Sequence, residues 1–329
     1  MRMIRNCFRT NLLMPALRRA YAVPPATEEH EMRPSPAWIL AVACGCALEA
    51  AAACPTEDWP ASRRERLIAA GFELQPGERE TLARELPDCL GEADPRVRDE
   101  FALAALTHWL RGAALEAPLR REIGARLLAL LVDPQDASGL RRPFVAIALA
   151  ELVRADRLAP DYDQARHDAF LAAALGYLDG IDDYRAFDPR EGWRHAVAHA
   201  ADLALQLGLH PHTDAGARAA LLAALTRRIA PADAPGYAHG EAERLARAVH
   251  FLHAHDAQSA EATGAWLDRL VDPSPWPDWS HSYRSLAGLA RRHNTLAFLH
   301  ALGFAARANG QGERSERIDA AITAILRAG

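Results

Sequence analysis

The chain has 329 residues, half of them hydrophobic, 7% aromatic and 25% charged, with a net charge of −5. That composition excludes a low-complexity or disordered polymer and is sufficient for a large core in one elongated domain or two compact ones. All 38 basic residues are arginine, and no arginine-dense run lies outside the N-terminus, so the acidic balance argues against nucleic acid as a partner.

Residues 1–31 are sprinkled with arginine and then rich in proline and glutamate, without apolar periodicity. They are expected to be a mis-started or unstructured extension. From Met32 the stretch MRPSPAWILAVACGCALEAAAAC runs from a basic start at Arg33 through apolar Ala37–Leu48 to the small residues Ala51, Ala52 and Ala53. This is the layout of a secretory signal over 32–53, too short and wrongly flanked for a membrane span. Export to a Gram-negative periplasm follows; a buried N-terminal helix in a cytoplasmic protein is the alternative, which Glu49 fits.

Five cysteines are present, Cys7, Cys44, Cys46, Cys54 and Cys89. Cleavage after Ala53 leaves Cys54 and Cys89, and two cysteines in an exported chain point to one disulfide. The rival is a lipid-carrying Cys54, although Ala-Ala-Ala before it lacks the usual leucine three places back. Only that rival would give the protein a membrane tether, because one thiol cannot serve both purposes.

After Pro60, apolar residues recur at three- and four-residue spacing in nearly every window. ASRRERLIAAGF and ERETLARELPDCL read as short amphipathic helices. DPRVRDEFALAALTHWLRG starts with Asp94 as a cap and Pro95 at the first helical position. LRREIGARLLALLVDP follows as its antiparallel partner, then RRPFVAIALAELVRAD, YDQARHDAFLAAALGYLDG, EGWRHAVAHAADLALQLG, AGARAALLAALTRRIA, GEAERLARAVHFLHAHD, ATGAWLDRLV, RSLAGLARRHNTLAFLHALGFAARANG and ERIDAAITAILRA. No alternating β-branched run occurs. Asp-Pro recurs at 94, 133, 188 and 272, the first interval being close to a two-helix repeat and the later ones irregular. The fold expected for 54–329 is a single all-α domain, an irregular α-solenoid or HEAT-like α/α superhelix of antiparallel helix pairs.

The stretch EGWRHAVAHAADLALQ carries the candidate site. At about 100° per residue, His199, Asp202 and Gln206 fall within about 40° of His195 on an otherwise apolar helix. Two histidines and a carboxylate on one stripe can ligate zinc or act as an acid–base pair. They can equally form a buried hydrogen-bond ladder, with Asp202 fixing a histidine tautomer, or line a groove. No His-Glu-x-x-His motif and no identifiable third ligand accompany the pair, so the ladder or groove is preferred over a catalytic metal. No cofactor is expected, a divalent metal on His195, His199 and Asp202 being the alternative.

LDGIDDYRAFDPREGWRHAVAHAADLALQL resembles the central signature of the bacterial domain-of-unknown-function 2785 family. That signature is an acidic pair followed by x-Arg-Gly, then Gly-Trp-x-His-x-x-x-His-x-x-Asp. The matching positions here are Asp182, Asp183, Arg185, Gly192, Trp193, His195, His199 and Asp202. DPRVRDEFA, RRPFVAIALAELVRAD, GEAERLARAV and RRHNTLAFLHALGF agree in order, so the resemblance spans roughly 75–310. Ala186 stands where the family tends to have glycine. The resemblance implies an all-helical HEAT-like fold and no particular activity.

Elsewhere, Glu243 and Arg247 form an ordinary i,i+4 pair, although the resemblance places Glu243 and Arg244 facing the stripe. His250, His253 and His255 suit a helix C-terminus. Asn294 reads as a helix N-cap, preceded by Arg291 and Arg292 as an anion site. The aromatic loops DDYRAFDPREGW and PSPWPDWSHSY are contact-surface candidates. Together these features point to an exported scaffold that binds a partner protein or small-molecule ligand. Its groove would be floored by His195, His199 and Asp202 and walled by Trp193 and Arg185. A hydrolase using the same stripe, with or without metal, and a purely structural envelope protein are the alternatives.

Overall fold

Side-chain caps and prolines fix where the helices begin. The Asp94 carboxylate accepts the Arg96 amide with Pro95 at the first position, and Asp163, Asp214 and Ser285 cap their helices through the amides of Arg166, Ala217 and Gly288. The computed structural model describes residues 54–255 and 260–328. The expectations for 1–31 and 32–53 lie outside these residues.

Thirteen α-helices occur among the described residues. The first group is α1 (Ala61–Ala69), α2 (Pro76–Cys89), a short α3 (Pro95–Val97), α4 (Ala104–Arg111), α5 (Ala117–Val132), α6 (Arg141–Leu158) and α7 (Gln164–Asp179). The second is α8 (Ala196–Gly208), α9 (Ala215–Arg227), α10 (Glu241–His255), α11 (Ala260–Leu270), α12 (Leu286–Ala308) and α13 (Gly312–Arg327). Between α3 and α4 the chain passes through a π-helical turn, Arg98–Leu103. The fold is all-α, apart from a two-residue antiparallel pairing of Phe187–Asp188 (β1) with Gly192–Trp193 (β2), for which the sequence shows no strand pattern.

The packing follows an alternation along the chain. Helices α4, α6, α8, α10 and α12 each lie against the next in that series, while α5, α7 and α9 form a second series backing the first. Amphipathic helices joined by short loops bury their apolar faces in this way without long-range strand pairing. The centre of the first series is α8, buried at all thirteen positions between α6 and α10. Small residues permit that: a Cβ at Gly208 would run into the Leu252 side chain of α10.

Of the four Asp-Pro pairs only the first begins a helix. Asp188 and Asp272 cap turns instead, each accepting the amide two residues on. Those pairs therefore mark turn chemistry rather than a repeat. No helix among the described residues is long and apolar enough to cross a membrane.

Cys54 and Cys89 form a disulfide across a separation of 35 residues, tying the start of the described chain to the buried end of α2. In this structure the Cys54 sulfur is engaged in that bond. In the chain-entropy description a loop of this length stabilises by about 3–4 kcal/mol. Replacing both cysteines by serine is expected to lower the urea-unfolding free energy by that order. An unchanged midpoint would show that the crosslink contributes nothing.

Candidate functional site

The expected stripe is split at its first residue. The helix starts at Ala196, and His195 is its N-cap in the left-handed region, φ 52°, ψ 33°. Such a conformation is strained for a residue with a Cβ and persists only where surroundings impose it. Here the surroundings are the β1–β2 hairpin and two buried arginines. Gly192, at φ +76° in the hairpin, allows the turn close to Pro95 and Arg98.

Arg98, on the π turn, is fully buried and donates to the carbonyls of Glu191 at 2.7 Å and Trp193 at 3.1 Å, and its guanidinium lies over the Phe144 ring. Arg194, also buried, donates to Asp183 at 2.9 Å and to Ser138 O and Glu191. Asp183 in turn binds Arg185 at 2.7 Å. Burial opposes ionisation of Asp183, but hydrogen bonds from Arg185 and Arg194 hold its carboxyl down at about 2. Asp183 and Arg185 therefore brace the loop, with Arg185 exposed at its edge. Neither arginine of the brace, Arg98 or Arg194, stood out in the sequence; arginines bonded to carbonyls carry no spacing signal.

Trp193 stacks on His195, centroids 4.3 Å apart and planes 7° from parallel, and meets Phe187 and His239 edge-on. His199 lies 5.5 Å from His195, ring to ring, and edge-on to Phe144. The Nδ1 of His199 is 3.0 Å from the Pro143 carbonyl. A carbonyl only accepts, so Nδ1 carries the proton and Nε2 keeps its lone pair. The tautomer is thus fixed by a proline carbonyl of α6, not by Asp202 as expected. Burial, then the Arg244 charge, push His195 down to about 4, and burial, His195 and Arg244 hold His199 well below its ordinary value. Both are neutral at pH 7.

Asp202 turns the other way, toward α10. Its two oxygens accept from Arg244 and, at 2.5 Å, from Arg247. The Asp202 side chain is 6% exposed while those of Arg244 and Arg247 are 41% and 50% exposed. Burial pushes the Asp202 carboxyl up, and the two arginines oppose it. The row continues along the same faces: Gln206 receives Arg157 at 3.4 Å, and buried Glu151 of α6 takes a two-pronged contact from Arg111 of α4 at 2.8 and 2.5 Å. Arg111 also feels the Asp202 charge. Partly exposed arginines of α4, α6 and α10 therefore top buried acceptors on α6 and α8.

His195, His199 and Asp202 do not assemble as a metal-holding set, and among the described residues no group of three or more His, Cys, Asp or Glu does so. The reason is partner choice: two guanidiniums occupy the carboxylate that a metal would need. Glu243 is exposed on α10 beside Arg244, but only Arg244 reaches the stripe. Asn294 is no N-cap. It lies mid-way along α12, fully buried, accepting the Tyr237 amide at 2.6 Å and donating to Pro235 O at 2.9 Å, so it pins the loop before α10. Arg291 binds the carbonyls of Asp272, Pro273 and Ser274 and lies over Trp276 and Trp279, organising that loop rather than presenting an anion site.

An all-helical protein with a central buried helix, an arginine-topped row and a neutral histidine pair is what these features define. Residues 127–304 match the family described as Protein of unknown function (DUF2785), more than half of the chain, and the protein belongs to that family. No curated protein and no solved structure matches it.

Two outcomes test the geometry. His199→Ala is expected to cost about 2–3 kcal/mol, since it orphans the Pro143 carbonyl and opens a cavity; His195→Asn, which tolerates the left-handed backbone, should cost less than about 1 kcal/mol. Equal losses in chemical denaturation would contradict the separate roles. The second outcome concerns pH. His167 and His250 are also held at about 4 and His253 at about 3, burial being the largest cause in each. The unfolded chain protonates these histidines below about pH 6.5 and the folded chain does not until near 4, so stability falls as pH drops through that window, by up to about 1.4 kcal/mol per unit for each. Asp99, raised by burial to about 6 from 3.8, opposes this, as do Asp202 and Glu85, which burial also raises, but five histidines outnumber these three carboxyls. Thermal melts should show Tm decreasing from about pH 7 to about pH 5; a constant or rising Tm would contradict it.

Proposed function

We propose that the protein is an exported binding scaffold that takes a partner protein or small-molecule ligand, through anionic groups, over the face of α8. The observation that carries this reading is Asp202: a nearly buried carboxylate anchors Arg244 and Arg247, whose side chains remain half-exposed. A guanidinium has five donors, so the contact with Asp202 leaves others for a ligand carboxylate or phosphate. Trp193, half-buried beside the row and stacked on His195, offers a rigid aromatic edge. The alternation of helices supports a HEAT-like stack, whose concave faces serve such binding in other proteins. The Cys54–Cys89 disulfide supports an oxidising compartment.

A second reading is favoured by one observation. His199 is neutral, with its tautomer fixed and Nε2 unprotonated, which is the state required of a general base. In that reading the same face is the active site of a hydrolase.

A thermal-shift screen of the wild type and Arg247→Gln against panels of acidic peptides and small organic anions tests the binding reading. A ligand at about a hundred times its Kd stabilises by about 2.7 kcal/mol, several degrees in Tm. Wild-type shifts that Arg247→Gln loses, while its circular dichroism is unchanged, are expected. Silence across the panels, or equal shifts in the variant, would remove the reading. Turnover abolished by His199→Gln would favour the hydrolase instead.

A further inference from the structure

The outer side of α12 is apolar where a solvated helix face is ordinarily charged. Its inner side carries the buried Phe298, Leu299 and Leu302, and the helix packs on α10 and α13. On the outer side Leu286 is 86%, Leu289 40% and Phe304 71% exposed, and Tyr283, in the turn before the helix, is 53% exposed. These four are half of the large hydrophobic side chains exposed among the described residues, so the exposure is concentrated rather than scattered. Between Leu286 and Phe304, every position within about 60° of Leu286 is leucine, alanine, histidine or phenylalanine, and no acid or arginine interrupts the stripe. The adjacent α13 exposes Glu313, Glu316, Arg317 and Asp319. Apolar residues exposed singly need no explanation, but a contiguous stripe of them marks an interaction surface.

The spacing along the stripe says what covers it. Leu286 and Phe304 stand about 27 Å apart along the helix, with residue 295 midway. An antiparallel copy of α12 centred there sets Leu286 of one copy against Phe304 of the other. Between those ends each larger residue then faces an alanine. Leu289 faces Ala301, His300 faces Ala290, and His293, fixed by its bond to the Tyr237 carbonyl, faces Ala297. Large-on-small matching lets two helices approach closely, and it is self-complementary, as a two-fold interface requires. With no acid or arginine in the stripe, no like charges of those kinds are brought together. Covering Tyr283, Leu286, Leu289 and Phe304 removes on the order of 500 Å² from each copy, about 1,000 Å² in all, which reaches the size of a specific interface.

We propose that the outer face of α12 is a homodimer interface, in which two copies of the chain pack α12 against α12, antiparallel, about a two-fold axis near residue 295. The proposal is independent of the arginine-topped row, whose residues lie on α4, α6, α8 and α10.

Sedimentation of the full chain tests this for the wild type, Phe304→Glu, the double variant Leu286→Arg/Phe304→Glu, and Val132→Glu as a control. Val132 is 58% exposed at the end of α5. All the substituted positions are exposed, so circular dichroism should be unchanged. The wild type and Val132→Glu are expected to sediment as dimers. Phe304→Glu should raise the dissociation constant at least about a hundredfold, because the two-fold axis places the added charge at both ends of the interface. The double variant sets opposite charges at the matched ends and should recover dimer at low salt relative to Phe304→Glu alone. A monomeric wild type would overturn the proposal; a lower Tm for Phe304→Glu in that case would show that the chain's own residues cover the face. A dimer that Phe304→Glu leaves intact would overturn the interface. A double variant no more associated than Phe304→Glu would overturn the antiparallel register.

Discussion

Helix α8 has no exposed side, and the rest of the site follows from that constraint. A helix buried at every position must find an acceptor or donor for each polar side chain it carries, because an unpaired polar group costs about 1–3 kcal/mol. His199 meets a carbonyl of α6, Asp202 meets two arginines of α10, and Gln206 meets Arg157 of α6. Each polar residue therefore also ties α8 to a neighbour. These contacts orient the three helices, and because the arginines on Asp202 are half-exposed and two in number, loss of one leaves the carboxylate still paired.

The same solution appears at the N-terminal end of α8. Arg98 and Arg194 are buried and spend their donors on carbonyls and carboxylates of the hairpin and its flanking loops. This bracing fixes the loop that presents Trp193 and holds His195 in a left-handed conformation. The π turn at Arg98–Leu103 sits beneath it, and such turns recur at functional positions. Arg314 differs from these arginines: part-buried, it donates to Gln311 and His253 rather than, among the described residues, to an acid or a set of carbonyls.

The histidines share one electrostatic condition. Five of them are held below the ordinary value by burial first of all, and the charges or histidines beside them add to that, outweighing the opposing charges of Asp156 and Asp168 at His167. His210 lies 2.9 Å from Asp156 and is stacked on His167 where α6, α7 and the α8–α9 turn meet. Protonation thus acts on the core as well as on the candidate site.

Much of this was legible in the sequence by itself. Three- and four-residue periodicity gave the helices, Asp94 with Pro95 gave a start, and two cysteines gave a pairing, because these signals are local or arithmetic. The clustering of His195, His199 and Asp202 was legible too, but not their partners. Helical phase places side chains on one face of one helix and says nothing about what stands opposite. Only the tertiary structure decided that Asp202 faces Arg244 and Arg247, that Pro143 fixes His199, and that Asn294 is a mid-helix clamp on the loop at Tyr237. It alone put His195 outside the helix, because that break is imposed by Arg98 and Arg194, residues distant in sequence or silent in pattern, acting through backbone carbonyls.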